Sequence, residues 1–317
     1  MSSAAVTVPK GSWVLVTGVN GFVGTHVAKQ FLERGYKVRG TVRDVAAAPW
    51  LVNDLFKSYA QSGDFEVVAA DLAADHAFDA AIKGVQIVQH VASVVSFDAD
   101  PNNVIPQTVK GVTSLLEVAS KEASVKEFVY TSSLVAATFP SPGNTTNVVR
   151  DTWNDAAVEL AWAPPPYDPS RGLLVYVASK VTAEKAVWDF AKEKKPHFNI
   201  NVVAPSAILG KPLNRYNAEK GSAWLKLLYD GNTGPLAGMP ASKSPYPTRH
   251  QNASCVANPT TLPRLCGRCR GYGPASRCRC AGSQDQGGAD PGLGPHYQLG
   301  RHPRHHARAL SEREVGG

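Results

Sequence analysis

Apolar positions fall along this chain in two alternating rhythms. Trp13-Val14-Leu15-Val16-Thr17 is a short continuous apolar run rich in β-branched residues, as expected of a strand buried on both faces. Directly after it, Val23, Val27 and Phe31 recur every fourth residue with Ala28 and Leu32 beside them, and Gly35 follows as a left-handed stop. That spacing predicts a helix packed on a sheet. Further strands are predicted over 36–42, 65–70, 85–92, 127–131 and 198–204, the last closed by Pro205. Between them, Val109, Val112, Leu116 and Ala119 mark one helical face, and a long helix is predicted over 173–195. A short helix over 223–229 carries Trp224, Leu225, Leu227 and Leu228, whereas Ser141 to Gly172, with Pro164-Pro165-Pro166 and Trp153 and Trp162, reads as a loop standing over one sheet edge. Six strands alternating with helices predict a doubly wound parallel α/β sheet, the Rossmann architecture.

Composition divides the chain in two. The 317 residues carry a net charge of +7, but residues 1–241 hold 22 Lys plus Arg against 22 Asp plus Glu, so the whole excess lies in 242–317. A neutral body removes the argument for nucleic acid or a membrane surface as partner. Residues 11–241 form the predicted dinucleotide-binding domain with part of a substrate lobe. Residues 242–317 contain no Phe, Trp, Ile or Met, and ten Arg to one Lys. A segment so poor in apolar residues does not offset its ordering entropy and is expected to be a disordered tail. It reads best as translation from another reading frame, which would leave the substrate lobe incomplete. All five cysteines lie there; Cys266, Cys269, Cys278 and Cys280 could be read as a thiolate zinc site, but no metal site is assigned. With no signal-peptide core and no run long enough to span a bilayer, the chain is expected to be soluble and cytoplasmic.

The candidate chemistry begins where the first strand meets the first helix. Gly18, Gly21 and Gly24 in Thr17-Gly-Val-Asn20-Gly-Phe22-Val23-Gly24 let the backbone turn tightly and admit a pyrophosphate to the helix N-terminus. After the second strand, Val42 stands where an NAD-binding chain carries an acid, and Arg43 follows, placed to pair with the 2′-phosphate of NADP. Arg39, inside the strand, is a poorer candidate, and a shift of one residue would make Asp44 the ribose ligand instead. Asp71, with Leu72 after the third strand, is placed either for the adenine amino group or to cap its own turn. His90 lies within a strand and reads as structural.

Ser132 and Ser133 follow the fifth strand, and Tyr176 and Lys180 share one face of the long helix. Reduction of a carbonyl needs a proton donor, a group that polarises the oxygen and a cation that tunes the donor. Tyr176, Ser133 and Lys180 supply those three, with Ser132 as the rival of Ser133. Tyr216 and Lys220 repeat the Tyr-x-x-x-Lys spacing in an expected loop and are set aside by position.

With these motifs in this order, and with Val91-Ala92-Ser93 and Pro205 after the fourth and sixth strands, the chain resembles the extended short-chain dehydrogenases/reductases. Within them it is most similar to the fungal NADPH-dependent aldehyde and carbonyl reductases related to dihydroflavonol 4-reductase and cinnamoyl-CoA reductase. The resemblance runs from about Gly11 to Pro240. It implies that Ser133 polarises the carbonyl of a small-molecule substrate, Tyr176 donates the proton, and Lys180 holds the nicotinamide ribose and tunes Tyr176. It places Ser93 to Phe97 beside the nicotinamide and substrate, and Pro205 beside the carboxamide. An alcohol or hydroxysteroid dehydrogenase, or a chain inactivated by its tail, are the alternatives. Ala46, Ala47 and Ala48 replace a second basic residue common in the family, and Thr108-Val-Lys-Gly111-Val112 replaces the usual Asn-x-x-Gly-Thr.

Overall fold

The computed structural model describes residues 8–139, 147–221, 226–227, 229–232 and the strand 275–279. Its sheet contains β1 (Trp13–Thr17), β2 (Lys37–Val42), β3 (Phe65–Ala69), β4 (Val85–His90), β5 (Glu127–Thr131) and β6 (Asn199–Ala204), with β7 (Ala275–Arg279) on one edge. Every pairing is parallel and the order is β3-β2-β1-β4-β5-β6-β7. Chain direction across the sheet therefore reverses between β1 and β4, and the crevice beyond their carboxyl ends is where such sheets hold ligands.

Each face of the sheet has its own core. Side chains alternate along a strand, so Val14 and Val16 enter one cluster with Val27, Ala28 and Leu32 of α1 (Phe22–Glu33). Leu15 enters the other, with Phe128, Tyr130, Ile200 and Val202 under α3 (Ile105–Lys121) and α5 (Gly172–Lys194). Between β2 and β3 lie a helical turn, Leu51–Leu55, and a short α2 (Lys57–Gln61), which bring Leu51 and Phe56 onto the α1 side.

Three expectations are corrected. The segment from 141 to 172 is not all loop: α4 (Asp155–Ala161) packs Ala161 into a cluster with Val175 and Ala178 of α5. Arg171 closes that helix by donating to the carbonyls of Leu160, Ala161 and Ala163 at 2.9–3.0 Å, satisfying oxygens that a helix C-terminus leaves without partners. Tyr216 lies not in a loop but in α6 (Arg215–Gly221), stacked on Trp50 with ring centroids 5.3 Å apart. Finally, the tail is not wholly without structure, because Ala275–Arg279 pairs with β6. An uncovered β6 would present unpaired backbone groups, and any extended segment can pair with them whatever its apolar content. Trp224, Leu225, Leu228, Cys266, Cys269, Cys280 and the remaining tail lie outside the described residues. Among the described residues no helix is long and apolar enough to cross a membrane, and no cluster of ligating side chains could hold a metal ion.

Candidate active site

The reversal point is closed by one hydroxyl. Thr17 Oγ1 accepts from the backbone N–H groups of Val91 and Ala92, both at 3.0 Å, and lies 2.9 Å from His90 Nδ1. Two incoming donors occupy the hydroxyl's lone pairs, so its own proton goes to Nδ1 and the histidine is the neutral tautomer with hydrogen on Nε2. Burial, aided by the charge of Lys180, pushes the His90 pKa down to about 3. His90 is thus a neutral structural group, as its place in a strand suggested.

The glycine turn leaves from Thr17. Gly18 has φ +65°, and a Cβ on Gly24 would lie 2.2 Å from the Gly18 carbonyl oxygen, so α1 can seat on the turn only without a side chain there. Thr25 N–H makes the first bond back, to Gly21 O at 3.0 Å. The preceding amides of Phe22, Val23 and Gly24 therefore have no intrahelical acceptor, and Gly21 brings no side-chain cap. Asn20 is exposed at the tip of the turn.

At the end of β2, Arg43 is exposed at the crevice. Asp44 is engaged locally, its Oδ1 accepting from Ala46 N–H at 2.8 Å. Arg39 is consumed by structure: it pairs with Glu66, donates to Ala81 O and Lys83 O at 2.8 Å, and lies over the Trp13 ring. Asp71 Oδ1 accepts from Ala73 N–H at 3.1 Å, which is the turn-capping alternative, while Leu72 packs against Gly111 of α3. Ser93 Oγ is buried with no hydrogen-bond partner among the described residues. Pro205 O accepts from Leu134 N–H at 2.8 Å, tying the end of β6 to the loop beyond Ser133.

Ser132 and Ser133 have different partners. Ser132 Oγ donates to the buried Glu184 Oε2 at 2.6 Å, whereas Ser133 hydrogen-bonds the Tyr176 phenol. Burial raises the Tyr176 pKa, and the Ser133 bond offsets only part of that rise. Lys180 is 3% exposed, its Nζ 6.0 Å from the Tyr176 ring centroid and 3.4 Å from Thr131 O. Burial lowers the Lys180 pKa to about 8, against a raising influence of Glu184. The phenol is therefore protonated at neutral pH, because desolvation outweighs the Ser133 bond.

Residues 14–234 match the family model described as the NAD dependent epimerase/dehydratase family. The chain belongs to that family. An NAD-dependent epimerase/dehydratase of Aspergillus terreus, terH, is 42% identical over 229 residues, which are 72% of this chain and 67% of that protein. Aldehyde reductase 2 of Sporidiobolus salmonicolor is 41% identical over 237 residues, 73% of this chain and 68% of its own. Among solved structures, yeast methylglyoxal/isovaleraldehyde reductase Gre2, complexed with NADPH, superposes with a TM-score of 0.54 at 28% identity, over 64% of this chain and 60% of that one. This epimerase/dehydratase family member thus spans about two thirds of the length of the relatives it matches, and the resemblance read from its motifs is borne out.

Sequence reasoning missed Glu184, and it reached Phe97 only through the resemblance, as the end of the segment Ser93 to Phe97. Glu184 is 0% exposed on α5, and the available signal was a carboxylate inside the apolar run Val181-Thr-Ala-Glu-Lys-Ala-Val187. Phe97 has φ +51° and its ring centroid lies 5.5 Å from that of Tyr176. No periodicity marks it, since it belongs to the irregular segment after β4.

Proposed function

We propose that this epimerase/dehydratase family member reduces an aldehyde or ketone with NADPH, Tyr176 giving the proton to the carbonyl oxygen. The observation that carries this reading is the pairing of Ser133 with the Tyr176 phenol above a buried Lys180. When bound, NADPH supplies the hydride. The amides at the start of α1 and the glycine turn fit its pyrophosphate, and Arg43 fits the 2′-phosphate as a charge-assisted partner. Ser133 would hold the carbonyl oxygen beside the phenol, and Lys180 would stabilise the phenolate left after proton transfer. A phenol that is protonated at neutral pH holds the proton that reduction would deliver to the carbonyl oxygen.

A second reading, a chain that binds NADP with little turnover, draws on Phe97 and Leu173 beside Tyr176, which are 51% and 39% exposed. Such a site would hold a carbonyl poorly. Both readings are tested by titrating NADPH and NADH against protein fluorescence and then following NADPH consumption with a panel of aldehydes and ketones. Turnover abolished by Tyr176→Phe establishes the reductase; tight NADPH binding without turnover establishes the second reading; binding of neither nucleotide refutes both.

A further inference from the structure

Among the described residues, the mechanism leaves the buried carboxylate of Glu184 unused. Glu184 is four residues beyond Lys180 on α5, on the same helical face, and its side chain is sealed from water. A carboxylate in such a place costs several kcal/mol unless its oxygens are met by donors or a cation. One oxygen receives the Ser132 hydroxyl at 2.6 Å and the other the Trp188 indole N–H at 3.4 Å. Ser132 immediately precedes Ser133, so the first bond fixes the stretch of backbone from which Ser133 reaches Tyr176.

We propose that Glu184 is a positioning residue of the active site, keeping Lys180 charged and the end of β5 in register from one buried carboxylate. This rests on the reading of Tyr176 as proton donor. The groups facing Lys180 admit the assignment. On β4, His90 is neutral; on β5, the Tyr130 ring lies 5.6 Å from Nζ with its hydroxyl protonated; on α5 itself, Tyr176 is protonated. None of them carries negative charge at neutral pH, so Glu184 is the group that offsets the burial of the ammonium. Even with that help the lysine titrates at about 8. Without it, Lys180 would lose much of its charge near neutrality, and the phenolate left on Tyr176 would lose its counter-charge.

The proposal is tested on the full-length protein without cofactor, so its outcome is independent of turnover. Lysine labelled with ¹³C at Cε is titrated by NMR, Lys180 being assigned by its loss in Lys180→Arg. In Glu184→Gln the Lys180 midpoint should fall by about one unit or more, while Glu184→Asp should retain most of the wild-type value. Coupling is reciprocal, so Lys180→Gln should raise the midpoint of ¹³C-labelled Glu184, a measurement that stands if Glu184→Gln does not fold. Where turnover is measurable, Glu184→Gln should lower kcat more than it raises KM and should move the pH profile of kcat downward, with Glu184→Asp restoring it. A Lys180 midpoint unchanged in folded Glu184→Gln, or a Glu184 midpoint unchanged in Lys180→Gln, overturns the proposal. Absence of turnover in wild type, with both midpoints moving as stated, would instead count against the reductase reading alone.

Discussion

Ser132 and Ser133 are adjacent in an extended backbone, so their side chains leave on opposite sides and meet different partners. Ser132 is spent on Glu184 and Ser133 is left for Tyr176. Tyr176→Phe should therefore lower carbonyl reduction about a hundredfold or more while leaving NADPH affinity nearly intact, as expected for loss of a general acid. Tyr216→Phe, whose ring stacks on Trp50 in α6, should leave the rate within about twofold. The reverse ranking in a steady-state assay would transfer the role to the second Tyr-x-x-x-Lys pair. Arg43 belongs to the same scale: losing a charge-assisted bond costs about 1.5–3 kcal/mol. Arg43→Ala should weaken NADPH binding by roughly ten- to a hundredfold and leave NADH nearly unchanged, converging the two affinities. Nucleotide titrations that show equal affinities already in wild type would remove Arg43 from the 2′-phosphate.

Elements that bury a regular face were legible in the sequence. The expected bounds of β1 and β5 agree with the structure to the residue, because short apolar runs are bounded by Gly18 on one side and Ser132 on the other. The long helix was placed within one residue at each end, Gly172–Lys194 against 173–195. What escaped depends on contacts distant in sequence. Ala157 and Ala161 carry α4 into the core with side chains too small to print a hydrophobic rhythm, and Arg171 closes that helix from ten residues beyond Ala161. Glu184 escaped because a charged residue on a helix is read as exposed unless its buried partners are known. The glycine turn, legible as a motif, gains its physical reason only from the close approach of Gly24 to Gly18. Gly24→Ala should push α1 off the turn, weakening NADPH binding at least tenfold and lowering the melting temperature together. A folded variant with unchanged affinity would show that the amides of α1 do not hold the pyrophosphate.

Across the whole molecule, the two halves of the sheet meet at the seam between β1 and β4, and the Thr17–His90 bond is a buried polar link there. Its histidine ties stability to pH. The folded-state pKa is about 3, below the ordinary histidine value of 6.5, so between those values the unfolded chain binds the extra proton. Stability from this group is therefore fully present above 6.5 and declines as pH falls toward 3. A drop from the unfolded pKa to pH 5 should remove about 2 kcal/mol, since each unit is worth about 1.36 kcal/mol. Other groups titrate in the same range, among them Glu127, whose pKa burial raises, so the wild-type slope alone does not isolate His90. His90→Asn does: it keeps a hydrogen-bonding side chain for Thr17 but cannot take up the proton. It should be less stable than wild type at pH 7, through lost packing against Tyr130 and Phe128. In urea unfolding the gap between variant and wild type should then narrow by about 2 kcal/mol on going to pH 5. A gap that stays constant would mean that the histidine takes up its proton at the same pH folded as unfolded, so that burial does not keep it neutral.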